Sequence, residues 1–264
     1  MKVNNFLIIG NDQKMHECKN HMINKGYEAV AATEDEILSK LKEYRNIILP
    51  LPTISNGYIS GTRLEFEDII RNISDDQNIF IGNIDLNNYD NCHSYYYNES
   101  FLIKNSYLTA QGVLRLILEY ADYGLYGKSV AVIGYGRCGK AISSLLNGIG
   151  MNVTVFSRRT DTMNQVYYDG FVPRIIAEIN DLVDDYNFIV NTVPSNIITK
   201  DGAQKLTADN IYIEIASKPY GININETDFY NFKYILGKSL PGRFFPKSAG
   251  INIADTVIEI LKEV

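Results

Sequence analysis

The chain has 264 residues, 45% hydrophobic and 21% charged, a balance typical of soluble globular proteins that excludes disordered, collagen-like and low-complexity classes. Twenty-five basic against 31 acidic side chains give a net charge of −6, so nucleic acid and anionic membrane, which select basic faces, are poor partners. No apolar run approaches the roughly 18 residues that span a bilayer, and Cys18, Cys92 and Cys138 are dispersed without a C-x-x-C pair, so reduced thiols in the cytoplasm are expected and no disulfide framework.

The length allows two domains. Asn5 to Gly10 reads as a short buried strand, followed by a helix from Lys14 to Lys25. A second pair follows, with a strand over Tyr27 to Ala31 and a helix over Glu34 to Leu41. A third strand, Asn46 to Leu49, is stopped by Pro50 and Pro52, and 50–61 becomes a long loop at a strand's C-terminal end, where open α/β sheets bind ligands. Asn78 to Ile81 and Ser94 to Tyr97 are further strand candidates. His16, Cys18 and His21 on the first helix complete no recognised metal pattern, so they read as surface positions and no metal is expected. Cys92-His93 falls in an Asn/Asp-rich loop.

Val113, Leu116, Ile117 and Tyr120 recur at helical spacing from Leu108 onward, a helix placed to bridge two domains. A second β/α series starts with a strand from Ser129 to Ile133 and continues with a helix to Ile149, a strand over Asn152 to Phe156 and a helical stretch around Asn164. Strands over Phe188 to Asn191, Ile211 to Ile215 and Tyr234 to Leu236 complete it. The last stretch, from Pro246 to Glu263, puts Ile251, Ala254, Ile258 and Leu261 on one face and Ile253, Val257 and Ile260 beside it, so it needs a partner and is expected to return to the first domain.

The strongest motif is Gly134-Tyr135-Gly136-Arg137-Cys138-Gly139, because it follows a strong strand, opens a helix and is followed by another strand. Gly134 permits the tight turn, Gly136 lets backbone approach a pyrophosphate, and Gly139 lets helix and strand sit close. The helix N-terminus offers unpaired N–H groups to the phosphates. The next strand ends Ser157-Arg158-Arg159, with no acid to bind a ribose 2′-hydroxyl. A serine and two guanidinium groups suit a 2′-phosphate, which favours NADP over NAD and counts against S-adenosylmethionine; the alternative is two solvated surface arginines. Asn191-Thr192-Val193-Pro194 and Ala216-Ser217-Lys218-Pro219 put small polar groups at strand ends where a nicotinamide would lie. Lys218, Lys238, Arg243 and Lys247 form either a carboxylate-binding patch or a solvated face. Hydrolase and P-loop signatures are absent from the sequence.

Taken in order, Ile8-Ile-Gly-Asn-Asp12, Ile48-Leu-Pro50, Asn105-Ser-Tyr-Leu-Thr109-Ala-Gln-Gly112, the glycine turn, Ser157-Arg158, Asn191-Thr-Val-Pro-Ser195, Ala216-Ser-Lys-Pro219, Leu240-Pro-Gly242 and Pro246-Lys-Ser-Ala-Gly250 resemble the dipicolinate synthase A-subunit family. The chain departs from that pattern at Pro219-Tyr220-Gly221, at Gly237-Lys238-Ser239 and across 51–98. The resemblance, with the pattern above, implies two doubly wound α/β domains. Residues 1–105 would form a substrate and partner domain, 106–127 a bridging helix, 128–245 a Rossmann NADP-binding domain, and 246–264 a C-terminal helix packing back on the first domain.

The activity implied is NADP-dependent dehydrogenation of dihydrodipicolinate to dipicolinate in the mother cell of a sporulating bacterium. The implied partner is a flavoprotein B subunit that carries FMN, and a homo-oligomer is compatible with this. Within that frame Lys218 and Lys247 are the catalytic candidates. Asn105, Ser106, Thr109, Arg243, Thr53 and Ser55 are the substrate-binding candidates. Cofactor binding is expected from the glycine turn, from Ser157, Arg158 and Arg159, from Asn191, Thr192, Val193 and Pro194, and from Ala216 and Ser217. The alternatives are a shikimate- or 2-hydroxyacid-dehydrogenase-like oxidoreductase, or a non-catalytic nucleotide-binding scaffold for the flavoprotein.

Overall fold

A computed structural model describes residues 5–84, 89–223 and 231–264. The chain divides into two compact units, one of Met1–Asn105 with Pro241–Val264 and one of Ser106–Leu240.

The first unit opens with β1 (Asn5–Ile8), α1 (Gln13–Asn24) and β2 (Glu28–Ala31), followed by a short α2 (Ile37–Lys40) and β3 (Asn46–Ile48). Next come the hairpin strands β4 (Ile54–Ser55) and β5 (Tyr58–Ile59), then α3 (Phe66–Ile70), β6 (Asn78–Ile81) and β7 (Cys92–Ser94). The main sheet has the order β2-β1-β3-β6-β7, with every pair parallel. Its central strands are buried on both faces, which is why their sequences are short continuous apolar runs. The Asp12 carboxylate accepts from the Met15 N–H at 3.0 Å and caps α1.

Three local features differ from the sequence expectation. The loop after β3 contains the β4–β5 hairpin, turned by Asn56 and Gly57, both with positive φ; Asn-Gly is the usual pair for such a turn. The last strand sits at Cys92–Ser94, not 94–97, so His93 belongs to the sheet and its ring lies 5.7 Å from that of Phe80. Cys18 is fully buried, not at the surface.

A long helix, α4 (Glu99–Tyr120), starts nine residues before the expected Leu108 and runs into the second unit. There β8 (Ser129–Ile133), α5 (Arg137–Gly148), β9 (Asn152–Ser157), α6 (Thr160–Tyr168) and β10 (Val172–Ile175) form one half. The other half is α7 (Ile179–Leu182), β11 (Phe188–Asn191), α8 (Lys200–Gln204), β12 (Ile211–Glu214) and β13 (Lys233–Leu236). The order β10-β9-β8-β11-β12-β13, all parallel, is the doubly wound arrangement that binds dinucleotides where the winding reverses, here between β8 and β11. Strand β10 has no counterpart in the sequence reading because Pro173 breaks the strand pattern. As the sheet's outer strand it loses no ladder bond that its position requires.

The chain ends with α9 (Leu240–Phe244) and α10 (Pro246–Leu261). Helix α10 packs on α1 within the first unit. A Cβ on Gly250 would lie 2.3 Å from the Lys14 carbonyl oxygen and 2.7 Å from the Cys18 nitrogen, so the two backbones touch there. The buried residues are Ala249, Gly250, Asn252, Ile253, Ala254, Thr256 and Val257, with Ile258, Ile260 and Leu261 partly buried against the same core, so Ala254 of the expected face and Ile253 and Val257 beside it are the residues covered most. Among the described residues no helix is long and apolar enough to cross a membrane, and no group of three or more His, Cys, Asp or Glu is placed to hold a metal.

Candidate dinucleotide site

The three glycines of the turn have distinct physical roles. Gly134 has φ +96°, and a Cβ there would meet Thr192 Oγ1 at 2.5 Å and Val193 Cγ2 at 2.6 Å. Gly139 would place a Cβ 2.2 Å from the Gly134 carbonyl oxygen, so only glycine lets α5 start this close to the turn. Gly136 has nothing within 4 Å of its Cβ position: the space beside it is open, as a pyrophosphate needs. Gly136 also precedes α5 with no side-chain cap, leaving the first N–H groups to a ligand.

Neighbouring strands finish the turn. The Gly134 N–H donates to the Phe156 carbonyl at 2.9 Å, and the Thr192 hydroxyl donates to the Ile133 carbonyl at 2.8 Å. A cleft of about 420 Å³ is lined by Gly134, Gly136, Ser157, Arg158, Arg159 and Val193, among others. These residues fit a dinucleotide: open backbone beside the turn, an uncapped helix end and two exposed guanidinium groups at the end of β9.

The two arginines are not equivalent. Arg159 is paired with Asp161 through both its Nε, at 3.0 Å, and its terminal Nη2. Arg158 has no such acidic partner among the described residues, so it is the available cation of the cleft. Ser157 is buried, and its hydroxyl accepts from the Arg159 N–H at 3.3 Å. Tyr135 also lines the cleft, and its hydroxyl donates to Asp169 at 2.6 Å; that bond holds the Asp169 carboxyl below the usual range. Arg137 is exposed at the first position of α5, while Cys138 is half-buried beside Thr109, with burial pushing its thiol pKa up.

A second constellation, not foreseen from the sequence, lies at the ends of β11 and β12. The register pairs Asn191 with Glu214, and parallel partners point to the same face. Tyr212, two residues back, shares that face. Glu214 is 0% exposed and accepts from Asn191 Nδ2 at 2.8 Å, Tyr212 Oη at 3.1 Å, Ala216 N at 3.0 Å and Gly221 N at 2.7 Å. Burial raises its pKa and the hydrogen bonds oppose the rise. Gly221 is required here, since a Cβ would fall 2.3 Å from Tyr212 Oη. The Gly221 carbonyl in turn accepts from Ile197 and Ile198, so one carboxylate ties the loop after β11 to the loop after β12. The sequence signal was a lone acid in the apolar run Ile211-Tyr-Ile-Glu-Ile215.

The other expected residues are placed as follows. Asn191 is fully buried, and its amide donates to Glu214 and to the Val193 carbonyl. Thr53 is likewise 0% exposed: its hydroxyl donates to the Pro50 carbonyl and accepts from the Gly82 N–H, which holds its own loop. Pro194 and Ser217 are exposed, and Ala216 contributes its N–H to Glu214. Ser55 is exposed on the hairpin and Asn105 is half-buried on α4, both in the first unit with Arg243 and Lys247, which are exposed on α9 and α10. Ser106 and Thr109 are buried on α4 in the second unit. Lys218 is exposed in the second unit and lines a different cavity, together with Lys238.

Comparison with known proteins agrees with this geometry. The family profile described as D-isomer specific 2-hydroxyacid dehydrogenase, NAD binding domain, matches residues 109–216, so this part of the chain is a domain of the kind that binds a nicotinamide dinucleotide. The A subunit of dipicolinate synthase from Bacillus subtilis (strain 168) is 30% identical over 166 residues, 63% of this chain and 56% of that protein. The chain therefore spans little more than half the length of this curated relative in the sequence match. An adenosylhomocysteinase from Thermoplasma acidophilum is 30% identical over 103 residues, 39% of this chain and 24% of that protein.

Among solved structures, the A chain of dipicolinate synthase from Bacillus subtilis superposes with a TM-score of 0.83 at 25% identity, covering 100% of this chain and 97% of that one. The dipicolinate synthase A subunit from Bacillus halodurans gives 0.85 at 22% identity, covering 99% and 98%. The chain thus resembles the A subunit of dipicolinate synthase in sequence over part of its length and in fold over essentially all of it.

Proposed function

We propose that the chain is a nicotinamide-dependent oxidoreductase of the dipicolinate synthase A type, which dehydrogenates dihydrodipicolinate to dipicolinate with NADP and acts beside a flavoprotein subunit carrying FMN. The observation that carries the NADP assignment is the end of β9: an exposed Arg158 lines the cleft at the glycine turn, and no acid follows the strand until Asp161, which Arg159 occupies. A ribose 2′-phosphate gains charge-assisted bonds there, whereas a 2′-hydroxyl finds no acceptor carboxylate.

When bound, the nicotinamide ring supplies the hydride acceptor. The chain's own residues do the rest. Ser157 and Arg158 orient the adenosine end, and the open backbone at Gly136 with the start of α5 receives the pyrophosphate. Aromatising a dihydropyridine removes a hydride and a proton, so a proton acceptor is also needed; Lys218 is the candidate beside the reacting centre, and Lys247 neutralises substrate carboxylate charge. The resemblance to dipicolinate synthase A subunits supports the substrate and the flavoprotein partner.

The test is reconstitution. The purified chain, with and without the flavoprotein, is mixed with freshly generated dihydrodipicolinate and NADP, and dipicolinate and NADPH absorbance are followed. Dipicolinate formation that requires this chain and is lost in Lys218→Ala is expected. Wild-type turnover in both Lys218→Ala and Lys247→Ala would remove the catalytic assignment, and absence of dipicolinate with all components present would remove the function.

A further inference from the structure

We infer that Glu214 is a positioning residue: its buried carboxylate holds Lys218 and Val193 in one fixed geometry at the C-terminal edge of the second sheet. The carboxylate closes the loop that carries Lys218. Ala216 N donates to Oε1 at 3.0 Å and Gly221 N donates to Oε2 at 2.7 Å, and Lys218 lies between these two anchors. With both ends of so short a loop held by one group, the backbone at Lys218 has few alternative conformations.

The other arm of the network runs to the dinucleotide cleft. Asn191 Nδ2 donates to both carboxylate oxygens, at 2.8 and 3.1 Å, and to the Val193 carbonyl at 2.9 Å. Asn191 Oδ1 accepts from the Val193 N–H at 3.1 Å. One amide thus grips Val193 at both its N–H and its carbonyl, and Val193 lines the cleft at the glycine turn. The Gly221 carbonyl closes the circuit by accepting from Ile197 and Ile198, in the same loop, at 2.9 and 3.0 Å.

The chemistry of the donors selects a charged group. Three of the four are N–H groups, which cannot accept, so a protonated Glu214 would find only Tyr212 Oη for its own O–H. An ionised carboxylate accepts from all four, and charge-assisted bonds are roughly twice as strong as neutral ones. The isosteric amide of Glu214→Gln instead turns a donor toward donors. Burying an anion is costly, and ordinary apolar packing would suffice to hold two loops loosely. What the carboxylate adds is precision, since a displacement of about 1 Å at a reacting group can cost about a hundredfold in rate. The loop geometry stands on these contacts alone, whereas its effect on turnover rests on the function proposed above.

The experiment compares the full-length wild type with Glu214→Gln, Glu214→Asp and Tyr212→Phe by hydrogen exchange, NADP titration and turnover in the reconstituted assay. In Glu214→Gln the amides of 193–198 and 216–221 should exchange about tenfold faster or more, and kcat should fall about tenfold or more. The Kd for NADP should stay within about threefold, because Gly136 and Arg158 lie on other elements; a merely structural loss would lower both together. Glu214→Asp keeps the charge one methylene further back and should recover part of both losses, and it carries the comparison if Glu214→Gln does not fold. Tyr212→Phe removes a donor that belongs to neither loop, and exchange in both loops should stay within about threefold of wild type. Unchanged exchange of both loops in Glu214→Gln overturns the inference, as does equally fast exchange in Tyr212→Phe. With wild-type turnover established, an unchanged kcat in Glu214→Gln, or a loss matched by an equal loss of NADP affinity, also overturns it and leaves the proposed function standing. If the wild type forms no dipicolinate, that function fails, and the exchange of 193–198 and 216–221 alone decides the role of Glu214.

Discussion

Adjacent residues of the same type can have opposite availability. Arg158 and Arg159 both follow β9, but Asp161 holds Arg159 in a two-point pair and leaves Arg158 to the cleft. Arg158→Ala should therefore weaken NADP binding roughly tenfold while leaving NAD binding within about twofold, as fluorescence titration would read. Asp161→Asn should tighten NADP binding about threefold by releasing Arg159. Unchanged NADP affinity in Arg158→Ala would sink the 2′-phosphate assignment. Glu214 makes the opposite case, a charge withdrawn from solvent and satisfied by four donors. Because burial raises its pKa, the folded state holds that proton more tightly than the unfolded one. Stability should therefore fall as pH rises from the unfolded value of about 4.3 through the folded value. Urea midpoints of Glu214→Gln should lack this fall, and a parallel pH profile in wild type and variant would contradict it.

At the level of elements, close backbone approach is the recurring device. Gly139 sets α5 against the turn, Gly221 sets the loop after β12 against Tyr212, and Gly250 sets α10 against α1. At Gly250 the obstructing atoms are backbone atoms of Lys14 and Cys18, which cannot rotate aside as a side chain can. Gly250→Ala should then destabilise the protein by about 1–3 kcal/mol, the usual cost of overpacking, and Gly250→Val by more. Gly170→Ala is the comparison, since that glycine has open space around it and its cost comes only from its positive φ. Thermal denaturation ranks the three, and equal midpoints for Gly250→Ala and Gly170→Ala would show that the α1–α10 contact yields easily.

For the whole molecule, the two units carry separate hydrophobic cores, and the dinucleotide cleft belongs wholly to the second. Saturating NADP should raise the melting temperature, by linkage worth about 2.7 kcal/mol at a hundredfold excess over Kd. Hydrogen exchange should slow most at 134–140 and 157–160, and uniform slowing across the chain would argue against a cleft confined to that region. Much of this arrangement was legible beforehand. The doubly wound class follows from alternating apolar strands and helical stretches, and the glycine turn from its position after β8 and before α5, because both are local patterns imposed by backbone geometry. The missing acid after β9 was equally plain, since an absence can be read without knowing any neighbour. What surrounds each residue was not. That Asn191 and Thr53 serve the frame, that Asp161 claims Arg159, that Glu214 joins two loops and that Lys218 shares a cavity with Lys238 are decided by strand register and chain return. Local composition states which groups a segment offers; only the tertiary structure decides which of them are already satisfied within the protein and which are left for a ligand.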